Sequence, residues 1–301
     1  MSAVLDRSLI SDDETPPLQP RTHRHLWRGS KTPVFVVLII TTAVFLFPLF
    51  WVVSNALQST AEQQTLPKTW WPSSLQWSNF KAAWEVAPFT TYLWHTVVIV
   101  VLVVIGSVAS ASLVAFALAR LHFRGREFWF MAVLSTMMLP STVTLIPLYL
   151  IFKDLGWLDT YLPLIVPAFF GGGPFNIFLL RQFILGIPRE MDEAATVDGA
   201  GYWRIYYNIV LPTIKPALAV TAWMTGLATW GDLFGPLIFL TSSKNWTLAL
   251  SIYEFPNMQP GGWGNQLIMC IALIVMLPVV VGFFFLQRWL IEGVNLTGVS
   301  R

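Results

Sequence analysis

Six apolar stretches, each about as long as a membrane-spanning helix, constrain the fold of this chain more than any other feature. A helix that crosses the hydrocarbon core of a bilayer needs about 20 predominantly apolar residues. The stretches cover residues 33–53, 92–119, 128–151, 161–180, 217–240 and 267–286. The sequence therefore predicts an all-α membrane protein with six transmembrane helices.

The composition excludes a soluble fold. Hydrophobic residues make up 55% of the chain and charged residues 11%, with a mean hydropathy of +0.62, whereas soluble domains carry about 25% charged residues. The first apolar stretch follows a polar arm, residues 1–32, which we expect to be partly disordered. It is too long and too far into the chain for the apolar core of a cleaved signal peptide, so we interpret it as a retained anchor.

The distribution of basic residues predicts the orientation in the membrane. Of the 18 lysines and arginines, 14 lie in residues 1–32, 120–126, 181–215 and 287–301. The other four are in the intervening loops: Lys68, Lys81, Lys153 and Lys244. The positive-inside rule then places both termini and the 181–215 loop in the cytoplasm. The net charge of +2 is thus a topology signal, and no basic face suits nucleic acid.

A polar segment between the fourth and fifth stretches carries the most specific pattern. Pro188 suits the first turn of a helix, acidic residues follow near the positive end of the helix dipole, and Gly199 is a natural stop. One face of this short surface helix is formed by residues at helical spacing: Met191, Ala194, Ala195 and Asp198. The small alanines would let another protein approach closely. The segment therefore predicts either a docking helix or an ordinary amphipathic connector at the membrane surface.

The order of residues in this segment matches a known motif. The matching positions are Glu193, Ala194, Ala195, Asp198, Gly199, Ala200, Ile209, Leu211, Pro212 and Pro216. They resemble the EAA loop of ATP-binding-cassette import permeases, and Tyr206 stands where that pattern usually has Phe. In the family this loop is the coupling helix, which sits in a groove of the ATPase subunit. The resemblance implies that these residues, Tyr206 included, link the chain to ATP hydrolysis.

Further sequence motifs point to one group within this family. They are Ala119-Arg120-Leu121 after the second stretch, Trp230-Gly231-Asp232, and Pro236 to Leu240. Together they look like the second permease subunit of carbohydrate importers, the group similar to the maltose and glycerol-phosphate systems. The implied fold is the type I importer (MetI-like) permease bundle. It would comprise a cytoplasmic arm (1–32), a six-helix domain (33–290) with its coupling loop at 184–216, and a cytoplasmic tail (291–301).

The resemblance also implies partners and a location. The partners are a homologous second permease subunit, an ABC ATPase dimer, an extracytoplasmic substrate-binding protein, and a carbohydrate or polyol solute. The location is the bacterial cytoplasmic (inner) membrane. ATP and Mg would be used by the partner ATPase, and this chain would bind no cofactor itself.

Asp232 is the clearest ionisable residue within the stretches. At about 1.5 Å per residue it lies about 24 Å along the helix from Pro216, near the outer end of the fifth span. An intramembrane carboxylate is a functional candidate, and Trp230 beside it would add an aromatic surface suited to a polyhydroxylated solute. The alternatives are a wet helix end or a packing salt bridge. In relatives Asn often stands where this chain has Gly231, so a direct solute contact at this turn is an open question.

Several chemistries have no motif in this chain. The sequence lacks G-x-x-x-x-G-K-[ST], so the chain itself is not expected to be the ATPase. It lacks H-E-x-x-H, a cysteine pair and G-x-S-x-G, so neither a metal site nor hydrolytic chemistry is predicted. Cys270 is the sole cysteine, which leaves no intrachain disulfide.

Two alternatives to a sugar importer follow from the same sequence. An ion-gradient-driven secondary transporter would need ionisable residues near the bilayer midplane, and the chain offers little beyond Asp232. An ABC importer of a non-sugar solute is the second alternative, because the sequence does not define the solute.

Overall fold

The computed structural model describes residues 32–65, 69–258 and 265–298. Residues 1–31 of the predicted arm and 299–301 of the predicted tail lie outside the described residues. The helices are α1 (Thr32–Ala56), α2 (Thr60–Gln64), α3 (Ser78–Glu85), α4 (Phe89–Arg120), α5 (Arg126–Ser135), α6 (Ser141–Asp154), α7 (Leu162–Ile165), α8 (Pro174–Leu185), α9 (Arg189–Val197), α10 (Tyr202–Ile205), α11 (Leu211–Thr213), α12 (Lys215–Trp230), α13 (Phe234–Phe239), α14 (Leu248–Met258) and α15 (Asn265–Gly298). Short 3-10 turns cover Thr136–Met138, Val166–Phe169 and Ser243–Asn245, and a π-helical turn covers Tyr206–Val210.

The chain divides into two compact units, Met1–Pro48 and Leu49–Arg301. Helix α1 begins in the first unit and ends in the second. Every contact described below lies within the second unit.

Among the described residues, four helices are long and apolar enough to cross a membrane, and the number rises to six if each of two bent helix pairs is one span. Four are Thr32–Ala56, Phe89–Arg120, Leu162–Leu185 and Asn265–Gln287. The other two are helix pairs with a sharp break, Arg126–Met138 with Thr142–Asp154 and Tyr202–Thr213 with Lys215–Trp230. The predicted all-α membrane fold is therefore correct.

The third stretch, predicted over residues 128–151, is not one straight helix. Its two limbs meet at 100°, and the break falls at Leu139 and Pro140. Proline has no backbone N–H, and its ring pushes the preceding residue out of the helical region. Leu139 accordingly has an extended backbone, φ −78 and ψ 118.

The fifth span also differs from its predicted range, 217–240. Helix α12 ends at Trp230, and α13 is a separate helix after Gly231, Asp232 and Leu233. Pro236 in α13 lacks the N–H that a continuous helix would bond to residue 232. At the other end, helix Tyr202–Thr213 meets α12 at 76°.

Two buried clusters hold the second unit together, and α4 contributes to both. One joins α4, α8 and the helix from Tyr202 to α12; its members include Ala111, Ala115, Phe116, Leu180, Ile184, Ile205, Tyr206, Val210 and Ile214. The other lies near the start of α4, where Phe89 and Tyr92 pack with Leu248, Phe255, Leu267 and Ile271. Helix α4 is thus the central element of the bundle.

Helices α4 and α8 approach closely through the glycines that precede α8. Ser107 of α4 donates a hydrogen bond from its hydroxyl to the carbonyl of Gly172 at 2.8 Å. A Cβ on Gly172 would lie 2.1 Å from the carbonyl oxygen of Ser107. Asn176 of α8 also donates to the Gly172 carbonyl, at 2.7 Å, and to the Thr225 hydroxyl of α12, at 3.0 Å. This polar network connects three spans.

Asp159 joins two loops at the end of the bundle predicted to be extracytoplasmic. Its carboxylate accepts hydrogen bonds from the backbone amides of Thr241, at 3.0 Å, and Ser242, at 2.8 Å, and from the Ser242 hydroxyl. Its own backbone amide donates to the Phe239 carbonyl, and its carbonyl accepts from the Asn245 side chain. These hydrogen bonds, first among them those from Ser242, lower the pKa of Asp159 to about 2.

Candidate functional site

The predicted docking helix is present as α9. It begins at Arg189, directly after Pro188, and carries Glu190 and Asp192 in its first turn, where carboxylates interact favourably with the helix dipole. It ends at Val197, and Gly199 follows with φ 79. Glycine adopts this left-handed conformation without steric penalty, and it is the usual residue at such helix ends.

The motif residues divide into an exposed and a buried set. Glu193, Ala194, Asp198 and Gly199 are exposed, as is Pro212. Ala195, Ala200, Ile209 and Leu211 are half-buried and pack against the cluster that α4 and α8 share, and Tyr206 belongs to that cluster. The two alanines predicted on one face therefore differ, because Ala194 faces outward and Ala195 faces the bundle. The exposed set is available to a partner, and the buried set fixes α9 and the following helix to the bundle.

Tyr206 has a specific contact that the usual Phe could not make. Its hydroxyl lies 2.7 Å from the Ser112 hydroxyl of α4, and both residues are buried. Its ring packs on Phe116 with a centroid separation of 5.2 Å. Tyr206 also opens the π-helical turn Tyr206–Val210, and such widened turns are frequent at functional sites.

A buried ion pair connects the first turn of α9 to the end of α4. The Nε atom of Arg120 lies 2.9 Å from Oδ2 of Asp192, with side chains 5% and 17% exposed. The Nη2 atom of Arg120 donates to the Ile187 carbonyl at 2.7 Å. Sequence reasoning missed this pair. Its only signal was the position of each residue, since Arg120 ends a span and Asp192 lies beside the motif.

Asp232 and Trp230 do not form one surface. Asp232 accepts a hydrogen bond from the Gly235 amide at 3.2 Å and lines a cavity of about 210 Å³ with Thr96, Thr229 and Thr247. Trp230 lines a different, apolar cavity of about 440 Å³ between α4, α12 and α15. The two cavities share no lining residue. Among the described residues Asp232 has no ion-pair partner, so the salt-bridge alternative has no support there.

Comparison with known proteins agrees with this geometry. The family model described as "Binding-protein-dependent transport system inner membrane component" matches residues 107–295. The arabinooligosaccharides transport system permease protein AraQ of Halalkalibacterium halodurans is 32% identical over 76% of this chain and 81% of its own length. The maltodextrin transport system permease protein MdxG of Bacillus subtilis is 30% identical over 90% of this chain and 96% of its own.

A solved structure shares the fold. It is a chain of a bacterial ABC transporter involved in the import of the acidic polysaccharide alginate, with a TM-score of 0.75 and 22% identity. The match covers 88% of this chain and 99% of that one. The bundle therefore has the fold of an ABC importer permease.

The helical spans and the motif-bearing α9 define the class as a membrane-embedded transport component. The family match then makes the assignment specific, since it covers more than half of the chain. The chain belongs to the binding-protein-dependent transport system inner membrane components.

Proposed function

We propose that this chain is the non-catalytic permease subunit of an ATP-driven sugar or polyol importer. It forms half of the translocation path, with a homologous second permease subunit as the other half. An ABC ATPase dimer binds at α9, and an extracytoplasmic substrate-binding protein delivers the solute. ATP and Mg are used by the ATPase subunits.

The observation that carries this proposal is the exposure of half of the motif on α9. Glu193 and Ala194 are exposed on a helix whose other side packs against the bundle through Ala195, and Asp198 directly after α9 is exposed as well. An amphipathic connector would also have one exposed side, and what favours a docking helix is that the exposed residues belong to the motif. A helix that transmits force needs one face for its partner and one for the bundle.

The solute class rests on the relatives. The printed names of the curated relatives refer to arabinooligosaccharides, maltodextrin, diacetylchitobiose and glycerol 3-phosphate. These solutes are polyhydroxylated, which supports a sugar or related polyol for this chain. Asp232 and Trp230 are the predicted solute-path residues, and they would act from separate cavities.

The mechanism is alternating access. When ATP closes the ATPase dimer, α9 is pulled inward and the bundle opens outward to take solute; hydrolysis resets it. This requires α9 and both termini to be cytoplasmic in the inner membrane, as the positive-inside bias predicts.

The test is a gentle-detergent pull-down of the chain from its native membrane, with mass spectrometry of the proteins that accompany it. Cross-linking from a cysteine at the exposed Ala194 would capture a groove-bound partner, and a cysteine at the exposed Glu85 of α3 serves as the control. We expect an ATPase and a second permease from Ala194→Cys. A chain that comes down alone or as a homomer would contradict the importer and favour an ion-driven transporter. Uptake that survives collapse of the proton gradient supports the ATP-driven importer.

A further inference from the structure

Two buried arginines tie the ends of α4 and α8 to each other in opposite directions. Arg120, the last residue of α4, donates to the carbonyl of Ile187, which follows α8. Arg181 of α8 donates from Nε to the carbonyl of Leu118 in α4 at 3.3 Å. Arg181 also stacks over the Phe130 ring at 3.9 Å, which fixes its guanidinium. The relative position of the two helix ends is therefore held from both sides.

Arg120 extends this connection to α9. Its guanidinium contacts the Asp192 carboxylate in the first turn of α9 at the same time as the Ile187 carbonyl. The contact with Asp192 is an ion pair without hydrogen-bond geometry at Nε, while Nη2 donates the hydrogen bond to Ile187; a lysine ammonium, which acts as a point charge, lacks the planar group that reaches both. A single side chain thus joins α4, the chain leaving α8, and α9.

Protein stability alone does not explain why an ion pair is buried between α4 and α9. Burying an ion pair is often no more stabilising than packing apolar residues in its place, although removing one partner is strongly destabilising. Arg120 and Asp192 are both largely buried, and the pair holds α9, whose outer face is exposed. A fixed connection between α9 and the bundle would transmit a movement of α9 to the membrane spans.

We propose that Arg120 is the positioning residue that fixes α9 to the ends of α4 and α8. A displacement of α9 then reaches the bundle as a rigid-body movement of these two spans. This inference rests on the proposed function, in which an ATPase subunit displaces α9.

The first test measures hydrogen exchange of the backbone amides of residues 193–197 in the purified chain. In Arg120→Gln we expect these amides to exchange at least about fivefold faster, the lower end of a coupling between sites. Arg120→Lys keeps the charge but not the fork, and we expect an intermediate rate. Lys81→Gln, which breaks the exposed pair of Lys81 with Glu85, is the matched control and leaves the rates unchanged. Wild-type exchange in Arg120→Gln overturns the proposal.

The second test separates positioning from stability in the full importer complex. Arg120→Gln alone leaves Asp192 as a buried lone charge, which lowers the yield of folded protein. The double variant Arg120→Gln with Asp192→Asn removes that charge, so we expect its yield to recover. Stimulation of ATP hydrolysis by the binding protein should stay at least about fivefold below wild type. If stimulation recovers together with the yield, Arg120 serves stability alone and the proposal is wrong.

The first test is independent of the proposed function, whereas the second requires the importer complex to exist. If the wild-type chain brings down no ATPase, the importer proposal fails. The exchange rates of α9 still decide whether Arg120 holds the helix.

Discussion

Gly199 ends α9 in a left-handed conformation, φ 79, that a residue with a Cβ atom adopts at a cost of about 1–2 kcal/mol. We expect Gly199→Val to distort the end of α9, because a β-branched side chain is disfavoured there. ATP hydrolysis should then lose its coupling to transport, while the bundle stays folded. Transport per ATP hydrolysed in proteoliposomes measures this.

The control for Gly199 is two residues away. Gly201 has φ −78 and ψ 168, and a Cβ there meets nothing within 4 Å. Gly201→Ala should therefore leave coupling unchanged. Equal loss in both variants would mean that backbone conformation at Gly199 is not the cause.

The Tyr206 hydroxyl can be tested by a pair of conservative changes. Tyr206→Phe removes the hydrogen bond to Ser112, and we expect thermal stability to fall by about 1 kcal/mol. Ser112 retains its hydrogen bond to the Ala109 carbonyl at 2.9 Å, so it is not left without a partner. Adding Ser112→Ala should cost less than the sum of the single changes, since both remove the same bond. Strict additivity in thermal unfolding would contradict the contact.

At the scale of elements, the approach of α4 to α8 depends on the absence of a side chain at Gly172. Gly172→Ala places a Cβ 2.1 Å from the Ser107 carbonyl oxygen, so the two helices must separate. We expect a marked loss of folded protein, seen as a lower yield and a lower melting temperature. Gly173→Ala is the matched control, because Gly173 also has a positive φ of 92 but has nothing within 4 Å of its Cβ. Similar losses in both would indicate backbone strain instead of the close approach.

The hydrogen bonds of Asp159 predict that the stability of the folded protein falls at low pH. The pKa of Asp159 is about 2, below the ordinary value of 3.8 for an aspartate, so the carboxylate contributes stability that is present above about pH 4. That stability is lost as the pH falls toward 2. In Asp159→Asn the charge is absent and the left-handed φ of 59 is still tolerated. We expect the stability difference between wild type and variant to be constant from pH 8 to pH 5 and to shrink only below about pH 4. Thermal unfolding at each pH measures it, and a difference that changes near neutrality would contradict the shift.

At the scale of the whole molecule, the exposed set on α9 predicts an uncoupled importer. Glu193→Lys reverses a charge on the face available to the ATPase, and the side chain is exposed, so the effect on folding should be small. We expect less ATPase to copurify and transport to fall, with an unchanged melting temperature. Glu85→Lys, an exposed charge reversal on α3, is the control. Normal transport in Glu193→Lys would contradict the coupling role.

The sequence predicted the all-α membrane fold and the position of α9, because apolar length and local helix signals determine both. It did not show how sharply the chain bends at Pro140, that it bends at Ile214, or that α12 ends early. Apolar composition reports how much chain can lie in lipid, and it does not report whether that chain is straight. A proline such as Pro140 or Pro236 marks a position where a helix can break, but its presence alone does not say whether the span bends there.

Contacts between residues far apart in the sequence could not be predicted either. Arg120 and Ile187 are 67 residues apart, and the Ser112 contact of Tyr206 crosses 94 residues. Such pairs depend on how helices pack, and one sequence holds no direct record of that. The motif predicted which residues form the site, but the structure was needed to divide them into exposed and buried sets.

The early end of α12 has a consequence for the lipid around the protein. Its 16 residues span about 24 Å at about 1.5 Å per residue, less than a hydrocarbon core of about 30 Å. Helix α4, with 32 residues, has no such shortfall. Either the turn at Gly231 and Asp232 and helix α13 complete the crossing, or the bilayer thins beside α12. A thicker membrane should therefore strain the side of the bundle where α12 turns into α13.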